Sequence, residues 1–190
     1  MQTLYQQKKQ EIKSRLNSFK FLTEEQKFKE FMFCLLTPQS NAQRCWQAVE
    51  EISKLKNPSL VQITDILSKK TRFHHTKAKR ILQAKRTFQN LRPHLSNNNI
   101  PELRNLLAEN VEGYGLKESS HFIRNIGKSN NQIAILDRHI LKNLNVEKIK
   151  SQKHYLEIEQ KFINHANSLS IPPDELDLLW WSQENGEIFK

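Results

Sequence analysis

Only four glycines occur in these 190 residues, and two of them stand in one pentapeptide, Gly113-Tyr114-Gly115-Leu116-Lys117. Glycine is used where the backbone needs positive φ or where another group must come very close. Apolar, helix-patterned sequence flanks the pair on both sides, Pro101 to Asn110 upstream and Lys117 to Ile126 downstream. The pattern predicts helix, tight Gly-x-Gly turn, helix, over about residues 101–126. The first amides of the second helix, at Gly115 and its neighbours, have no intrahelical acceptors. Such amides form a ready anion site, and a nucleic-acid phosphate suits it. A simple connector between two packed helices accounts for the turn equally well.

The rest of the chain is patterned the same way. Tyr5, Ile12, Leu16 and Phe19 fall at helical spacing. Thr23-Glu24-Glu25-Gln26 is a capping box ahead of Phe28, Phe31, Met32, Leu35 and Leu36, and Pro38 ends that helix. Asn41 can cap a third helix with Cys45, Trp46, Val49 and Ile52 as its apolar stripe. Pro58 and Pro93 punctuate the following helices, one of which carries the basic run Lys77 to Arg86. Ser151 can cap a helix reaching about Asn167, and Pro172-Pro173-Asp174-Glu175 opens a last helix through Trp181. No alternating strand pattern, repeat or linker is evident. The expected fold is all-α: two helical lobes flanking a cleft, in one unit spanning residues 1–190. The hairpin and Asp137 are expected in one lobe and most of the early helices in the other, with the two chain ends packed together.

The charge balance is 30 Lys+Arg against 20 Asp+Glu, a net +10 and a pI of about 9.6. That balance favours a polyanionic partner, nucleic acid or an anionic membrane. The basic residues are spread along helical segments, which points to a folded cationic face. Two cysteines, Cys34 and Cys45, cannot supply a four-thiolate zinc or iron–sulfur site and fit core packing in a reducing compartment. Residues 1–20 are polar and lack the apolar stretch of a signal peptide, and no stretch approaches a membrane span. A soluble, intracellular chain is expected, cytoplasmic and monomeric.

Two residues near the hairpin carry possible chemistry. Lys117 lies in the first turn of the hairpin's second helix, where the dipole disfavours a cation. A neutral lysine is a nucleophile able to form a Schiff base. Asp137 follows the apolar run Ile133 to Leu136 and precedes helix-patterned Arg138 to Leu144, an N-cap position. Read singly, Lys117 is one more solvated lysine and Asp137 one more cap. Facing each other across a cleft, they have the parts needed to displace a base from a sugar: an amine to attack the anomeric carbon and a carboxylate to stabilise positive charge there. His74, His75, His121 and His139 form no metal-ligand spacing, so no catalytic metal or redox cofactor is expected.

The stretch Val111 to Gly127 (Val-Glu-Gly-Tyr-Gly-Leu-Lys-Glu-Ser-Ser-His-Phe-Ile-Arg-Asn-Ile-Gly), followed by Ala134 to Leu141 (Ala-Ile-Leu-Asp-Arg-His-Ile-Leu), resembles the helix-hairpin-helix DNA glycosylase superfamily. Within it, the chain looks most like the archaeal-type 8-oxoguanine DNA glycosylase/AP lyases. Leu36 to Asn41 resembles that family's early loop, and Leu178-Leu179-Trp180-Trp181 with Gly186 and Lys190 resembles its closing segment. The resemblance implies that Lys117 is the Schiff-base nucleophile and Asp137 the essential carboxylate. It implies that Gly113 and Gly115 place amides on a DNA phosphate, with a monovalent cation at the hairpin carbonyls left open. It further implies that Trp181 stacks on the extruded base and that Lys190, the last residue, reads the oxidised purine with its terminal carboxylate as an acceptor. Gln39 would contact the DNA or fill the gap, Arg72 and Phe73 would meet the opposite strand, and Trp180 would be core. The partner so implied is double-stranded DNA containing oxidised guanine, with no membrane role. Two other readings stay open: a monofunctional glycosylase for another damaged base, and a non-catalytic hairpin module that grips DNA backbone.

Overall fold

Capping residues and apolar spacing divide the chain into ten α-helices and two short 3-10 helices among the described residues, with no strand. The computed structural model describes residues 2–190, apart from the side chain of Asn185. The α-helices are α1 (Gln2–Ser18), α2 (Glu24–Leu36), α3 (Ala42–Ser53), α4 (Leu60–Ser68), α5 (His74–Leu91), α6 (Ile100–Asn110), α7 (Leu116–Asn125), α8 (Arg138–Asn143), α9 (Gln152–Ser168) and α10 (Pro173–Asn185). Thr23 and Gln26 close the capping box of α2, and Asn41 caps α3 by accepting from the Arg44 amide at 3.0 Å. Ser151 caps α9 in the same way, at 3.1 Å from the His154 amide. A second capping box, Ser59 with Gln62, opens α4 just after Pro58. None of these helices is long and apolar enough to cross a membrane.

Two hydrophobic cores form. The first gathers Phe31, Phe33 and Leu35 of α2 with Phe88 of α5, Leu103 of α6 and Phe122 and Ile123 of α7. The second gathers Ile12 of α1, Leu136, Phe162 of α9, and Leu179 and Trp180 of α10. The chain ends meet as expected: Tyr5 donates to Glu175 at 2.6 Å, and the Arg15 Nε donates to the Phe189 carbonyl at 2.6 Å. Trp180 is core, edge-on to Phe162 at 5.5 Å.

The expected division of the lobes is corrected. The hairpin, through Tyr114, Phe122 and Ile126, belongs to the first core with α2 to α5, whereas the apolar residues flanking Asp137 (Leu136 and Ile140) belong to the second. The reason lies in the segment Ile133–Leu136, whose Ile133 is buried in the first core and whose Ala134 and Leu136 are buried in the second. That segment is the crossing between lobes, so the hairpin and Asp137 stand on opposite sides of it.

Helix α9 holds this crossing. Tyr155 donates to the Ala134 carbonyl at 2.7 Å, and the Ala134 amide donates to Glu159 at 2.8 Å. The same Glu159 oxygen accepts from Arg104 of α6 at 2.5 Å, with both side chains nearly sealed from solvent. Removing one member of a buried pair strands the other. Arg104→Met is therefore expected to destabilise the fold by about 3–5 kcal/mol in urea denaturation, and the double change Arg104→Met with Glu159→Met by less than the single. A loss below about 1 kcal/mol in Arg104→Met would mean that the pair does not hold the lobes.

Candidate active site

Between the two lobes lies a cleft of about 900 Å³. One wall is α7, whose Lys117, His121 and Arg124 follow one another at helical spacing along the face turned to the cleft. The facing wall is the crossing segment with Asp137 and the α10 pair Asp177 and Trp181, four residues apart. Gln39, Arg72 and Lys190 also line it. Six of the expected residues (Lys117, Asp137, Trp181, Lys190, Gln39 and Arg72) thus share one cavity. Phe73 stands beside it, more than half exposed, at the N-cap of α5 with φ +57° and its ring 5.6 Å from the Arg72 guanidinium.

The hairpin turn precedes Lys117 directly. Gly113 has φ +99°, and a Cβ there would lie 2.8 Å from the Arg80 side chain, so the turn itself demands glycine. Gly115 has an ordinary φ of −111°, and its nearest neighbour to a Cβ is a Glu118 carboxylate oxygen at 3.4 Å. Glycine suits the N-cap position it holds, and it leaves the turn's outer face open to close approach. Glu118 accepts from the Gly115 amide at 3.2 Å through one oxygen and pairs with the Lys117 ammonium at 2.9 Å through the other. One carboxylate therefore closes the helix start and orients the lysine.

Asp137 caps α8. Its Oδ1 accepts from the His139 amide at 2.8 Å and the Ile140 amide at 3.0 Å. These bonds hold the carboxylate at the helix start, where the dipole favours an anion. Asp177 is a second carboxylate in the same cleft, ion-paired with Arg124 at 3.2 Å. Burial pushes it up to about 7; Arg124 opposes that rise, as Lys117 does more weakly, while Asp137 and Asp174 add to it. Asp177 therefore feels both Lys117 and Asp137. His121 is held well below the usual imidazole range by burial and by the nearby cations Arg124, Lys117 and Lys190, so it is neutral.

The C-terminal tail is pinned from three sides. Arg15 of α1 holds the Phe189 carbonyl, Gln43 of α3 donates to Glu187, and the Lys190 ammonium pairs with buried Glu30 of α2. That ammonium also lies 3.1 Å from the Trp46 ring centroid. Burial lowers the Lys190 amine to about 8, with Glu30 pulling the other way. The Phe189 ring packs 6.0 Å from Trp181, tilted 30° to it, and edge-on to Phe33. The last residue is thus fixed at the cleft with its side chain committed inward.

The cleft also holds residues that were not expected, among them Glu118, His121, Arg124 and Asp177. Helical spacing could have found three of them. His121 and Arg124 are one and two turns beyond Lys117, and Asp177 is one turn before Trp181.

An all-helical molecule with a helix-hairpin-helix, a lysine at the hairpin's second helix and a capping aspartate across a cleft has the architecture of the helix-hairpin-helix DNA glycosylases. Residues 8–171 match the family model for 8-oxoguanine DNA glycosylase. An 8-oxoguanine DNA glycosylase/AP lyase of Fusobacterium nucleatum subsp. nucleatum is 35% identical over 215 aligned positions, spanning 100% of this chain and 96% of that relative. The crystal structure of the 8-oxoguanine DNA glycosylase of Thermotoga maritima aligns with a TM-score of 0.88 at 28% identity, covering 100% of this chain and 96% of that one. The Methanocaldococcus jannaschii 8-oxoguanine glycosylase/lyase, crystallised with a 15-mer DNA containing 8-oxoguanine, aligns with a TM-score of 0.84 at 32% identity, covering 96% and 93%. This chain belongs to the 8-oxoguanine DNA glycosylase family.

Asp177 makes the stability of the fold depend on pH. Its carboxyl titrates higher in the folded chain than the ordinary 3.8, so the folded state holds an extra proton between about pH 4 and about pH 7. The stability it confers is full below that window and is lost as pH rises through it. Asp177→Asn removes this component. Across melting curves from pH 4 to pH 8, the difference in Tm between variant and parent should shift in the variant's favour as pH rises, then level off above about 7. A difference independent of pH would mean that Asp177 titrates as an ordinary carboxylate.

Proposed function

We propose that this protein is a bifunctional base-excision repair enzyme that removes 8-oxoguanine from duplex DNA and nicks the resulting abasic strand. The single observation that carries the reading is the placement of Lys117 and Asp137 on one cleft, each at a helix start, Lys117 ion-paired with Glu118 and Asp137 accepting from two capping amides. The Lys117 amine attacks the deoxyribose C1′ as the C1′–N9 bond breaks. The departing base takes up a proton, and Asp137 stabilises the positive charge that develops on the sugar. The sugar opens to an imine on Lys117. Loss of a C2′ proton then expels the 3′ phosphate by β-elimination, which breaks the C3′–O3′ bond and leaves the strand nicked.

The partner is double-stranded DNA, bound by a monomer. The amides around Gly113 and Gly115 at the start of α7 take a backbone phosphate, with Glu118 yielding the Gly115 amide it holds in the free protein. An enzyme acting on a base takes it out of the stack and holds it by stacking and edge hydrogen bonds. Trp181, backed by Phe189, offers the stacking face. A main-chain carbonyl or carboxylate oxygen at Lys190 accepts from N7–H, which 8-oxoguanine carries and guanine lacks. Guanine would instead set a lone pair against that acceptor, at a cost of about 1–3 kcal/mol. Gln39 fills the gap left by the extruded base, and Arg72 and Phe73 meet the opposite strand. No metal or redox cofactor enters these steps.

Incubation with a duplex carrying one 8-oxoguanine should release the base and cut the strand on the 3′ side of the lesion, while the undamaged duplex stays intact. Asp137→Asn retains an oxygen that can accept from the two capping amides, so its stability should change by less than about 1 kcal/mol. Its base excision should fall by about 10²-fold or more. Near-normal turnover in that variant would reduce Asp137 to a cap.

A further inference from the structure

Lys77 has no role in the chemistry above, yet it is placed at a double penalty. It lies in the first turns of α5, where the dipole disfavours a cation, and its side chain is sealed from solvent. Burial lowers its ammonium to about 8. A methionine would fill the same space without either cost. What the lysine supplies is three convergent hydrogen bonds: its Nζ donates to the Leu36 carbonyl at 2.7 Å, the Pro38 carbonyl at 2.8 Å and the Ser40 hydroxyl at 2.8 Å. Those acceptors bracket Gln39, whose φ of +54° is a conformation that a non-glycine residue holds only when its surroundings fix it.

Ser40 carries the coupling further. Its hydroxyl also accepts from the Arg72 amide at 3.0 Å, and the Lys77 amide donates to the Phe73 carbonyl at 3.0 Å. One buried ammonium thus joins the loop bearing Gln39 to the turn bearing Arg72 and Phe73. Those two segments are on different elements, and nothing in the chemistry at C1′ requires them to move together. Filling the gap behind an extruded base while holding the opposite strand does require it.

We propose that Lys77 is a positioning residue for base extrusion, locking the Gln39 loop and the Arg72–Phe73 turn into one unit that engages duplex DNA. The proposal rests on the reading of Gln39, Arg72 and Phe73 as duplex contacts. It separates opening of the duplex from bond breaking at the sugar. A lesion in a single strand has no partner to lose and no gap to fill.

The test compares 8-oxoguanine excision from a duplex with excision from the same oligonucleotide single-stranded, under single-turnover conditions. Lys77→Met should slow excision from the duplex by about tenfold or more while changing the single-stranded rate by less than about twofold. Ser40→Ala should do the same to a smaller degree, and decides the matter if Lys77→Met does not fold. The double variant should be no slower on the duplex than Lys77→Met alone, because both changes cut one coupling. Gln39→Ala serves as the reference arm and should also be duplex-selective. Equal losses on both substrates in Lys77→Met, beside a duplex-selective Gln39→Ala, would overturn the positioning role. Additive effects of Lys77→Met and Ser40→Ala would overturn it as well. If Gln39→Ala itself is not duplex-selective, the reading of that loop fails, and the proposal falls with it.

Discussion

The buried contact between Arg124 of α7 and Asp177 of α10, 3.2 Å apart, ties the two walls of the cleft to each other. Its net contribution to stability is small, because desolvating both charges offsets their attraction. Its geometric effect is large. Arg124 lies two turns along α7 from Lys117, and Asp177 lies one turn along α10 from Trp181. Fixing the pair therefore fixes the distance between the proposed nucleophile and the proposed stacking face. The walls belong to different cores, and this contact is one of the ties between them.

Helix α7 is the element on which these ties converge. Every residue from Ser119 to Asn125 is buried, although five of the seven are polar. Its partners come from elsewhere in the chain: Asp177 from α10 for Arg124, and Glu30 from α2 for Asn125. Glu30 in turn holds the Lys190 ammonium, so one carboxylate links the tail to the helix that carries Lys117. The tail behaves as part of the site because its carbonyl, its side chain and its aromatic ring are each claimed by a different helix.

Much of this was legible beforehand where the physics is local. Thr23, Asn41, Ser151 and Asp137 cap the helices that their sequence contexts announce, and Pro38 and Pro173 lie where the adjacent helices end and begin. The Gly113–Gly115 turn was likewise readable, because positive φ at 113 is a property of a few residues. What escaped was long-range. The crossing segment reads simply as an apolar run, and nothing local says that Ile133 and Ala134 enter different cores. Hence the hairpin and Asp137 were expected in one lobe and stand in two. Lys77 escaped for a related reason: within the basic run from Lys77 to Arg86 it looks like its solvated neighbours, and only the carbonyls of Leu36 and Pro38, some forty residues away, distinguish it. His121, Arg124 and Asp177 look like surface polar residues until the helices that bury them are in place.

The account stands on Lys117 acting as an amine nucleophile, since that one residue separates a base-excising lyase from a protein that only grips DNA and from a glycosylase that uses water. The direct measurement is to react the protein with 8-oxoguanine duplex in the presence of borohydride, which reduces an imine to a stable amine, and to map the modified peptide by mass spectrometry. The account predicts a single covalent protein–DNA adduct carried by Lys117, lost in Lys117→Gln while that variant still binds the duplex. An adduct on another residue, or one undiminished in Lys117→Gln, would contradict it.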